Sequence, residues 1–313
     1  MRSDVHDIVI LSTADWDNPY WTNKQHVAVE LARLGKRILY IESLGIRQPA
    51  ASRSDFRRIW RRLKRGMRAP KQVRGNLWVW SPLVVPLQHF AVIRVINRHL
   101  LHIWLGIWLK KLRFERPLLW TYSPLTFQLL VRTAFRKVVY HSVDDIAEQP
   151  GMPKRAIRSA ESDLVALADV IFVTSLELFD RHKAINPNTY YMSNVCDYEH
   201  FARARDEVVV EPRDVFSLAS PRIGFIGAVS GYKLNFKLIR DMALERPQWS
   251  FVFVGEVGEG DPWTDLEALR DLPNLHFIGG RPYADLPAYL KAFDVAILPS
   301  ALNAYTKAMF PMK

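Results

Sequence analysis

Apolar and polar positions follow two different periods along the chain. Short apolar runs rich in β-branched residues predict strands at 8–12, 37–42, 77–80, 117–120, 137–142 and 169–175. Between these runs, apolar residues recur at helical spacing and predict helices at 23–34, 88–113, 124–135 and 153–168. Apolar strands that alternate with helices are typical of a parallel sheet covered on both faces.

The alternation stops and then starts again. The stretch 196–221 is polar and contains two prolines. After it, the pattern predicts strands at 222–227, 250–255, 275–279 and 294–299, and helices at 233–245, 264–270 and 283–291. We interpret the chain as α/β, with Rossmann-like domains at 1–205 and 222–313 joined by a linker at 206–221. Because ligands bind beyond the carboxyl ends of parallel strands, the site is expected in a cleft between the two domains.

Composition narrows the classes of protein. A length of 313 residues suits two domains, and a single cysteine, Cys196, excludes a disulfide framework. The longest apolar helical candidate, the run at 99–109, has only 11 residues, so no transmembrane helix is predicted. No HExxH motif and no serine nucleophile elbow is present in the sequence, so neither a zinc site nor a serine hydrolase is predicted.

Positive charge is concentrated in a basic insertion at 53–74. This segment contains ten Lys or Arg residues and one acid, and it supplies most of the formal net charge of +11. Its apolar residues recur at helical spacing, which predicts an amphipathic helix on an anionic membrane surface. The predicted membrane-binding residues are Arg57, Arg58, Trp60, Arg61, Arg62, Lys64 and Arg65. A solvated loop and a nucleic-acid site are the competing interpretations; we favour the membrane and predict no nucleic-acid partner. The Trp-rich helix at 99–113 either extends this surface or belongs to the core.

Glycines end two strands of the second half. Gly227 and Gly231 flank a turn that leads into a helix, and Gly255 ends the next strand. Such turns let the backbone approach a phosphate. Each could equally be a plain tight turn. The ends of the three predicted strands at 222–227, 250–255 and 275–279 are therefore informative only together.

Four segments carry a resemblance to a known family. PNLHFIGGRPYADLPAYLKAFDVAILPS (273–300) resembles the C-terminal domain of GT-B glycosyltransferases of family 4. VVYHSVDD (138–145), ADVIFVTSLEL (168–178) and SNVCDYEHF (193–201) resemble stretches of the same family. The subgroup most similar acts in teichuronic acid and other exopolysaccharide biosynthesis. The resemblance extends over nearly the whole chain except 53–74.

The resemblance implies a GT-B fold and a transferase that moves a sugar from a nucleotide-diphosphate donor. The acceptor would be lipid-linked or a polysaccharide, the configuration would be retained, and neither a metal nor another cofactor would be needed. The enzyme would be cytoplasmic, peripheral on the inner face of the plasma membrane. The implied donor-binding residues are Gly227, Ala228, Lys233, Gly255, Glu256, Arg281, Tyr283, Pro299, Lys307 and Lys313.

The first domain would hold the acceptor and the reacting groups. The resemblance implies catalytic roles for His141, Asp144 and Asp145. Alternatively, Asp144 caps the segment ahead of the helix at 153–168, and His141 is a satisfied residue at the strand end. The acceptor-side candidates after the first strand are Asp15, Trp16, Asn23 and Lys24, with helix capping by Thr22 or Asn23 as the rival role. Asp15 belongs to a DWD triplet, but no metal is predicted there because the chain is GT-B-like.

Two other functions stay open: a GT-B-like sugar-nucleotide epimerase, and a catalytically inactive nucleotide-sugar-binding fragment. The family's paired glutamates would fall at Ala308, which departs from the motif, and just past Lys313. We therefore expect that the second domain is incomplete, that the chain is truncated, and that its activity is weak.

Overall fold

The computed structural model describes residues 6–18, 21–44, 68–83, 91–258, 261 and 263–311. The chain divides into two compact units, Met1–Ser193 and Asn194–Lys313. The predicted membrane-binding residues at 57–65 and Lys313 lie outside the described residues. In the part of the chain that is described, no helix is long and apolar enough to cross a membrane.

An eight-stranded sheet forms the centre of the first unit. Its strands are β1 (Asp7–Leu11), β2 (Arg37–Ile41), β3 (Lys71–Arg74), β4 (Leu77–Trp80), β5 (Leu118–Thr121), β6 (Val138–Ser142), β7 (Val170–Val173) and β8 (Thr189–Tyr191). Their order is β3-β4-β2-β1-β5-β6-β7-β8, and every neighbouring pair is parallel except β3–β4. The pattern did not predict β3 and β8, because β3 is polar and mostly exposed and β8 has three residues.

Helices cover this sheet. They are α1 (Asn23–Arg33), α2 (Ala91–Lys111), α3 (Thr126–Leu129), α4 (Lys154–Leu167) and α5 (Leu176–Lys183). The predicted helix at 124–135 is wrong, since only α3 and a 3-10 turn at Arg132–Ala134 form there. The Thr126 hydroxyl donates to the Ser123 carbonyl at 2.6 Å at the start of α3, and the backbone becomes extended at Leu130, which ends the helix.

A four-stranded parallel sheet forms the second unit. Its strands are β9 (Arg222–Ile226), β10 (Ser250–Val254), β11 (Leu275–Gly279) and β12 (Val295–Ala296), in the order β11-β10-β9-β12. Its helices are α6 (Tyr198–Ala202), α7 (Arg213–Phe216), α8 (Phe236–Glu245), α9 (Leu286–Lys291) and α10 (Ala304–Lys307). The predicted helix at 264–270 is only a 3-10 turn at Glu267–Leu269, and the strand predicted at 294–299 is limited to β12.

The boundary between the units differs from the predicted one at residue 205. Residues 194–205 belong to the second unit, where the His200 ring stacks on Tyr283 with 4.3 Å between centroids. The predicted linker at 206–221 contains α7, whose Val215 is fully buried. The sequence did not predict these contacts, because each is made by a single side chain within a polar stretch and so leaves no periodic pattern.

Candidate functional site

Two neighbouring strands of the second unit end in glycines that pack against each other. The Gly227 N–H donates to the Val254 carbonyl at 2.9 Å, which joins the end of β9 to β10. A Cβ at Gly255 would lie 1.8 Å from the Gly227 carbonyl oxygen. Position 255 therefore accepts only glycine. Gly255 is buried by this contact, while Gly227 is half-buried at the carboxyl end of β9, where ligands of parallel sheets bind.

The loop after β9 is fixed to the loop after β10. The Val229 N–H donates to the Glu256 carbonyl at 3.0 Å, and the Gly258 N–H donates back to the Val229 carbonyl at 2.8 Å. These bonds use the backbone of Glu256, while its side chain is exposed. Ala228 lies half-buried between the two anchored positions. The loop is thus held by its backbone, which leaves the predicted donor-binding positions 227, 228 and 256 adjacent.

Two residues that the sequence analysis missed support this loop from beneath. The Gly231 N–H donates to the Thr264 hydroxyl at 3.1 Å, and that hydroxyl donates to the buried Asp261 carboxylate at 2.9 Å. A carboxylate that accepts local bonds in a Gly- and Pro-rich segment is the signal that could have identified them.

Lys233 lies at the end of the same loop. Its Nζ is 5.4 Å from the centroid of the Tyr232 ring, and that ring is 4.9 Å from Tyr305 on α10. The Asn303 side-chain amide donates to the Tyr232 carbonyl at 2.7 Å. Lys233, the first turn of α8 and α10 therefore lie on one side of the sheet.

The segment after β12 completes that side. Pro299 is buried, and its carbonyl accepts the Asn235 N–H at 2.9 Å at the start of α8. Lys307 is exposed on α10. Ala308, where the resemblance predicts the first of the paired glutamates, is fully buried and has no carboxylate to offer.

Arg281 and Tyr283 have partners within the fold. Arg281 donates from Nε to the Tyr289 hydroxyl at 2.6 Å and from Nη2 to the Asp214 carboxylate at 2.9 Å. The Tyr283 ring stacks on His200, and burial raises the Tyr283 pKa to about 12. These contacts join α7 and α6 to the α9 region, so they indicate a structural role for both residues.

A cavity of about 380 Å³ lies elsewhere in the second unit. Apolar side chains of β11 and the 3-10 turn line most of it, among them Leu266, Leu269, Leu275 and Phe277. None of the predicted donor-binding residues lines this cavity. Among the described residues, no group of three or more His, Cys, Asp or Glu side chains is placed to hold a metal ion.

In the first unit, His141 lies in an aromatic cage at the end of β6. Its ring is 5.0 Å from Tyr122, 5.9 Å from Trp120 and 6.2 Å from Phe172. Burial, together with the charge of Lys24, lowers the His141 pKa to about 3. Its Nδ1 is buried and has no hydrogen-bond partner among the described residues. The imidazole is therefore neutral near pH 7, and the residue as a whole is half-buried.

The two aspartates that follow His141 differ. Asp145 is buried and forms ion pairs with Arg158 at 2.6 Å and with Arg181 at 2.7 Å, which indicates a structural role. Asp144 is half-buried, and it is not the N-cap residue of the 3-10 turn Ile146–Glu148 that precedes α4, because that position is Asp145. Asp144 and His141 thus remain the candidates at this strand end.

A buried polar network lies behind β6. The Tyr140 hydroxyl donates to the Glu161 carboxylate at 2.7 Å, and burial raises the Glu161 pKa. His182 Nε2 lies 3.1 Å from the Ser142 hydroxyl, and burial followed by the charge of Arg181 lowers the His182 pKa to about 3. This network stabilises the back of the strand that carries His141.

The acceptor-side candidates gather around the first turn of α1. The backbone N–H of Trp16 donates to the buried Glu42 carboxylate at 2.7 Å, and the Trp16 ring is 5.1 Å from the Tyr40 ring. Lys24 Nζ is 5.6 Å from the centroid of the Tyr122 ring, beside His141.

The remaining acceptor-side positions serve the same turn. The N-cap residue of α1 is Thr22, and Asn23 is its first residue. The buried Gln25 side chain donates to the Asp15 carbonyl at 3.1 Å, so Asp15 is held by its backbone. Glu42, Gln25 and Tyr122 were not predicted from the sequence, because their contacts with the candidate residues join separate elements of the fold.

Comparison with known proteins gives both a relative and a fold. No protein-family model matches the chain. The chain is 30% identical over 168 residues to TuaH of Bacillus subtilis (strain 168), named for an inferred role as a teichuronic acid biosynthesis glycosyltransferase. That alignment covers 51% of this chain and 40% of TuaH. The chain therefore matches less than half of that relative's length.

Solved structures are similar over most of the chain. Sucrose-phosphate synthase from Thermosynechococcus elongatus has a TM-score of 0.63 at 17% identity, covering 94% of this chain and 75% of that one. Anabaena Alr3699/HepE in complex with UDP-glucose has a TM-score of 0.56 at 16% identity, covering 93% and 72%. WaaG, a glycosyltransferase involved in lipopolysaccharide biosynthesis, has a TM-score of 0.55 at 11% identity, covering 94% and 75%. The chain has the GT-B fold of these proteins, as the sequence predicted, with a Rossmann-like sheet in each unit.

Proposed function

We propose that the chain is a glycosyltransferase that moves a sugar from a nucleotide-diphosphate donor to an acceptor. The observation that carries this proposal is the paired glycine ends of β9 and β10, where Gly255 packs directly on the Gly227 carbonyl. This packing fixes the half-buried Gly227 at the end of β9, where the lack of a side chain suits the close approach of a diphosphate. The structure of Alr3699/HepE with UDP-glucose, on the same fold, supports a nucleotide sugar as the donor.

Lys233 and the N-terminus of α8 would stabilise the leaving diphosphate. Negative charge develops on that group as the sugar departs, and fixed positive charge or a helix N-terminus lowers the barrier. Transfer with retention of configuration and without a metal, as in the family that the sequence resembles, is part of the proposal. Lys307 on α10 is a further candidate for the same charge.

The first unit would hold the acceptor. The neutral His141 offers a ring nitrogen to a sugar hydroxyl, and the half-buried Trp16 offers an aromatic surface for stacking. We propose a lipid-linked or polysaccharide acceptor in cell-surface polysaccharide biosynthesis, as the name of TuaH suggests for that relative.

The basic insertion 53–74 would hold the enzyme at the anionic inner face of the plasma membrane. Each basic residue near such a surface contributes about 1 kcal/mol, and the attraction weakens with salt. Vesicle pelleting across a salt series tests this; an absence of binding to anionic vesicles at low salt would contradict it.

The donor is tested by binding and turnover with a panel of UDP-, GDP- and TDP-sugars. Calorimetry measures affinity, and mass spectrometry identifies released nucleotide and transferred sugar. Lys233→Gln is expected to weaken donor binding at least about tenfold, because a charge-assisted bond is lost. Lys237→Gln is the matched control, since Lys237 is exposed on α8 and pairs only with Asp241 among the described residues.

Each alternative function has its own result in this panel. An epimerised sugar still attached to its nucleotide would indicate the epimerase. Binding without turnover would indicate an inactive nucleotide-sugar-binding fragment. If no nucleotide sugar binds, the transferase proposal is wrong for this chain.

A further inference from the structure

One side of helix α2 is apolar and exposed to solvent. Its side chains keep large exposed fractions: 69% for Val92, 55% for Val95, 41% for Ile96, 56% for Ile103 and 36% for Ile107. Counted from Val92, the other four follow after 3, 4, 11 and 15 residues, which puts all five on a single helical stripe. We call these five residues the α2 outer face.

The opposite side of α2 belongs to the core. Asn97, Leu101 and Leu105 are buried, and Trp104 and Trp108 are half-buried with their rings stacked at 6.1 Å. The two tryptophans therefore lie toward the core side of the helix. The α2 outer face is a second apolar surface, which the packing of the described residues does not use. An exposed apolar surface with a polar border marks a binding site more often than chance.

The charge carried by α2 itself has one sign. No Asp or Glu occurs between Asp55 and Glu115, so α2 carries no acid along its whole length. Arg98, Lys110 and Lys111 are exposed on the same helix. The surface that covers this face must therefore accept both aliphatic side chains and positive charge.

We propose that the α2 outer face docks on an anionic lipid bilayer, with the helix axis parallel to the membrane surface. Val92, Ile103 and Ile107 would enter the boundary between headgroups and acyl chains. The neighbouring Arg98, Lys110 and Lys111 would contact lipid phosphates. This surface is separate from the basic insertion 53–74, and its binding does not depend on the proposed transfer activity.

Charge complementarity favours lipid over the other occupants. A dimer formed through two copies of this face would bring the basic residues of both copies together without an acid to pair them. Nucleic acid would satisfy the positive charge but would leave the aliphatic stripe in water. An anionic bilayer satisfies both features at once.

The first experiment measures partitioning into sucrose-loaded vesicles by sedimentation, in the absence of any donor sugar. The vesicles contain phosphatidylcholine with about one-third phosphatidylglycerol, an anionic fraction that attracts basic segments. The double variant Ile103→Ser/Ile107→Ser is expected to partition about tenfold or more weakly, because two aliphatic side chains no longer enter the lipid. The matched control is Leu167→Ser on α4, where the leucine is 58% exposed, and its partitioning should equal that of the wild type.

The second experiment measures depth. In a Cys196→Ser background, Ile103→Cys labelled with an environment-sensitive fluorophore should shift to the blue on anionic vesicles and be quenched by brominated acyl chains. Leu167→Cys, labelled in the same way, should show neither effect. Circular dichroism confirms that each variant is folded.

Three results would overturn the proposal. The first is equal partitioning of the double variant and the wild type. The second is an unchanged spectrum of the label at position 103. The third is a concentration-dependent dimer in light scattering that the double variant abolishes, which would assign the face to a second copy of the chain.

Discussion

At the scale of single residues, position in the tertiary structure separates neighbours that look alike in the sequence. The segment HSVDD contains three candidate catalytic groups within five residues. The Asp145 carboxylate forms ion pairs with two arginines, whereas the Nδ1 of His141 has no partner among the described residues. Because both arginines come from helices distant in sequence, the sequence could name the segment but could not rank its members.

His141 should affect transfer without affecting its pH dependence. We expect His141→Ala to lower kcat/KM about ten- to hundredfold, the effect of losing one hydrogen bond to the bound sugar. Its pKa of about 3 keeps the imidazole neutral between pH 5 and 8, so the fold loss should be constant across that range. Rate profiles of both proteins check this; a loss confined to one side of neutral pH would contradict the neutral imidazole.

Arg281 should affect stability and not donor binding. We expect Arg281→Gln to lower the free energy of unfolding by about 1 kcal/mol, because its pair with Asp214 is partly exposed and screened by solvent. Urea denaturation measures this, with Arg270→Gln, an exposed pair with Glu267, as the weaker control. Weaker donor binding at unchanged stability would instead restore the donor-contact role predicted from the sequence.

At the scale of elements, periodicity worked where an element buries a full apolar stripe. The predicted helix at 153–168 corresponds to α4, which buries Ile157, Ala160, Leu164 and Val165 on one side. The helix predicted at 124–135 failed because the backbone becomes extended at Leu130, with φ −121° and ψ 150°, a change of conformation that apolar spacing does not report. The edge strand β3 was also not predicted, because it buries too few apolar side chains to produce an alternating pattern.

The junction of β9 and β10 should tolerate no side chain at position 255. We expect Gly255→Ala to lower the free energy of unfolding by about 2–3 kcal/mol, because its Cβ would overlap the Gly227 carbonyl oxygen. Gly231→Ala is the control, since the nearest atom to its Cβ would be 3.7 Å away, and its effect should stay below about 1 kcal/mol. If urea denaturation gave equal losses of unfolding free energy for the two variants, the backbone at the β9–β10 junction would be shifting to make room for the new Cβ, and the prediction would be wrong.

At the scale of the whole molecule, burial of neutral histidines links the fold to pH. His182 and His141 both have pKa values lowered to about 3, and both belong to the first unit. Between pH 6.5 and 3 the unfolded chain binds protons at these residues that the native chain does not bind. Stability is therefore expected to fall as the pH falls through that window.

The size of this effect can be isolated at His182. One such histidine contributes up to about 1.4 kcal/mol per pH unit below 6.5. We expect His182→Gln to flatten the decline of unfolding free energy between pH 6.5 and 5, measured by urea denaturation at each pH. The carboxylate of Asp169, whose pKa is lowered, loses its contribution only nearer pH 4 and so falls outside this range. Identical slopes for both proteins would contradict a neutral His182 in the native state.

The sequence by itself determined the Rossmann-like architecture of both units and the glycines at the strand ends. Apolar runs and glycines act through local geometry, which adjacent residues specify. Only the tertiary structure decided that Arg281 and Asp145 are held in ion pairs, that residues 194–205 belong to the second unit, and that α2 has an unused apolar face. These features depend on contacts between residues that are separated along the chain. A local sequence pattern does not specify which side chains will be in contact after folding.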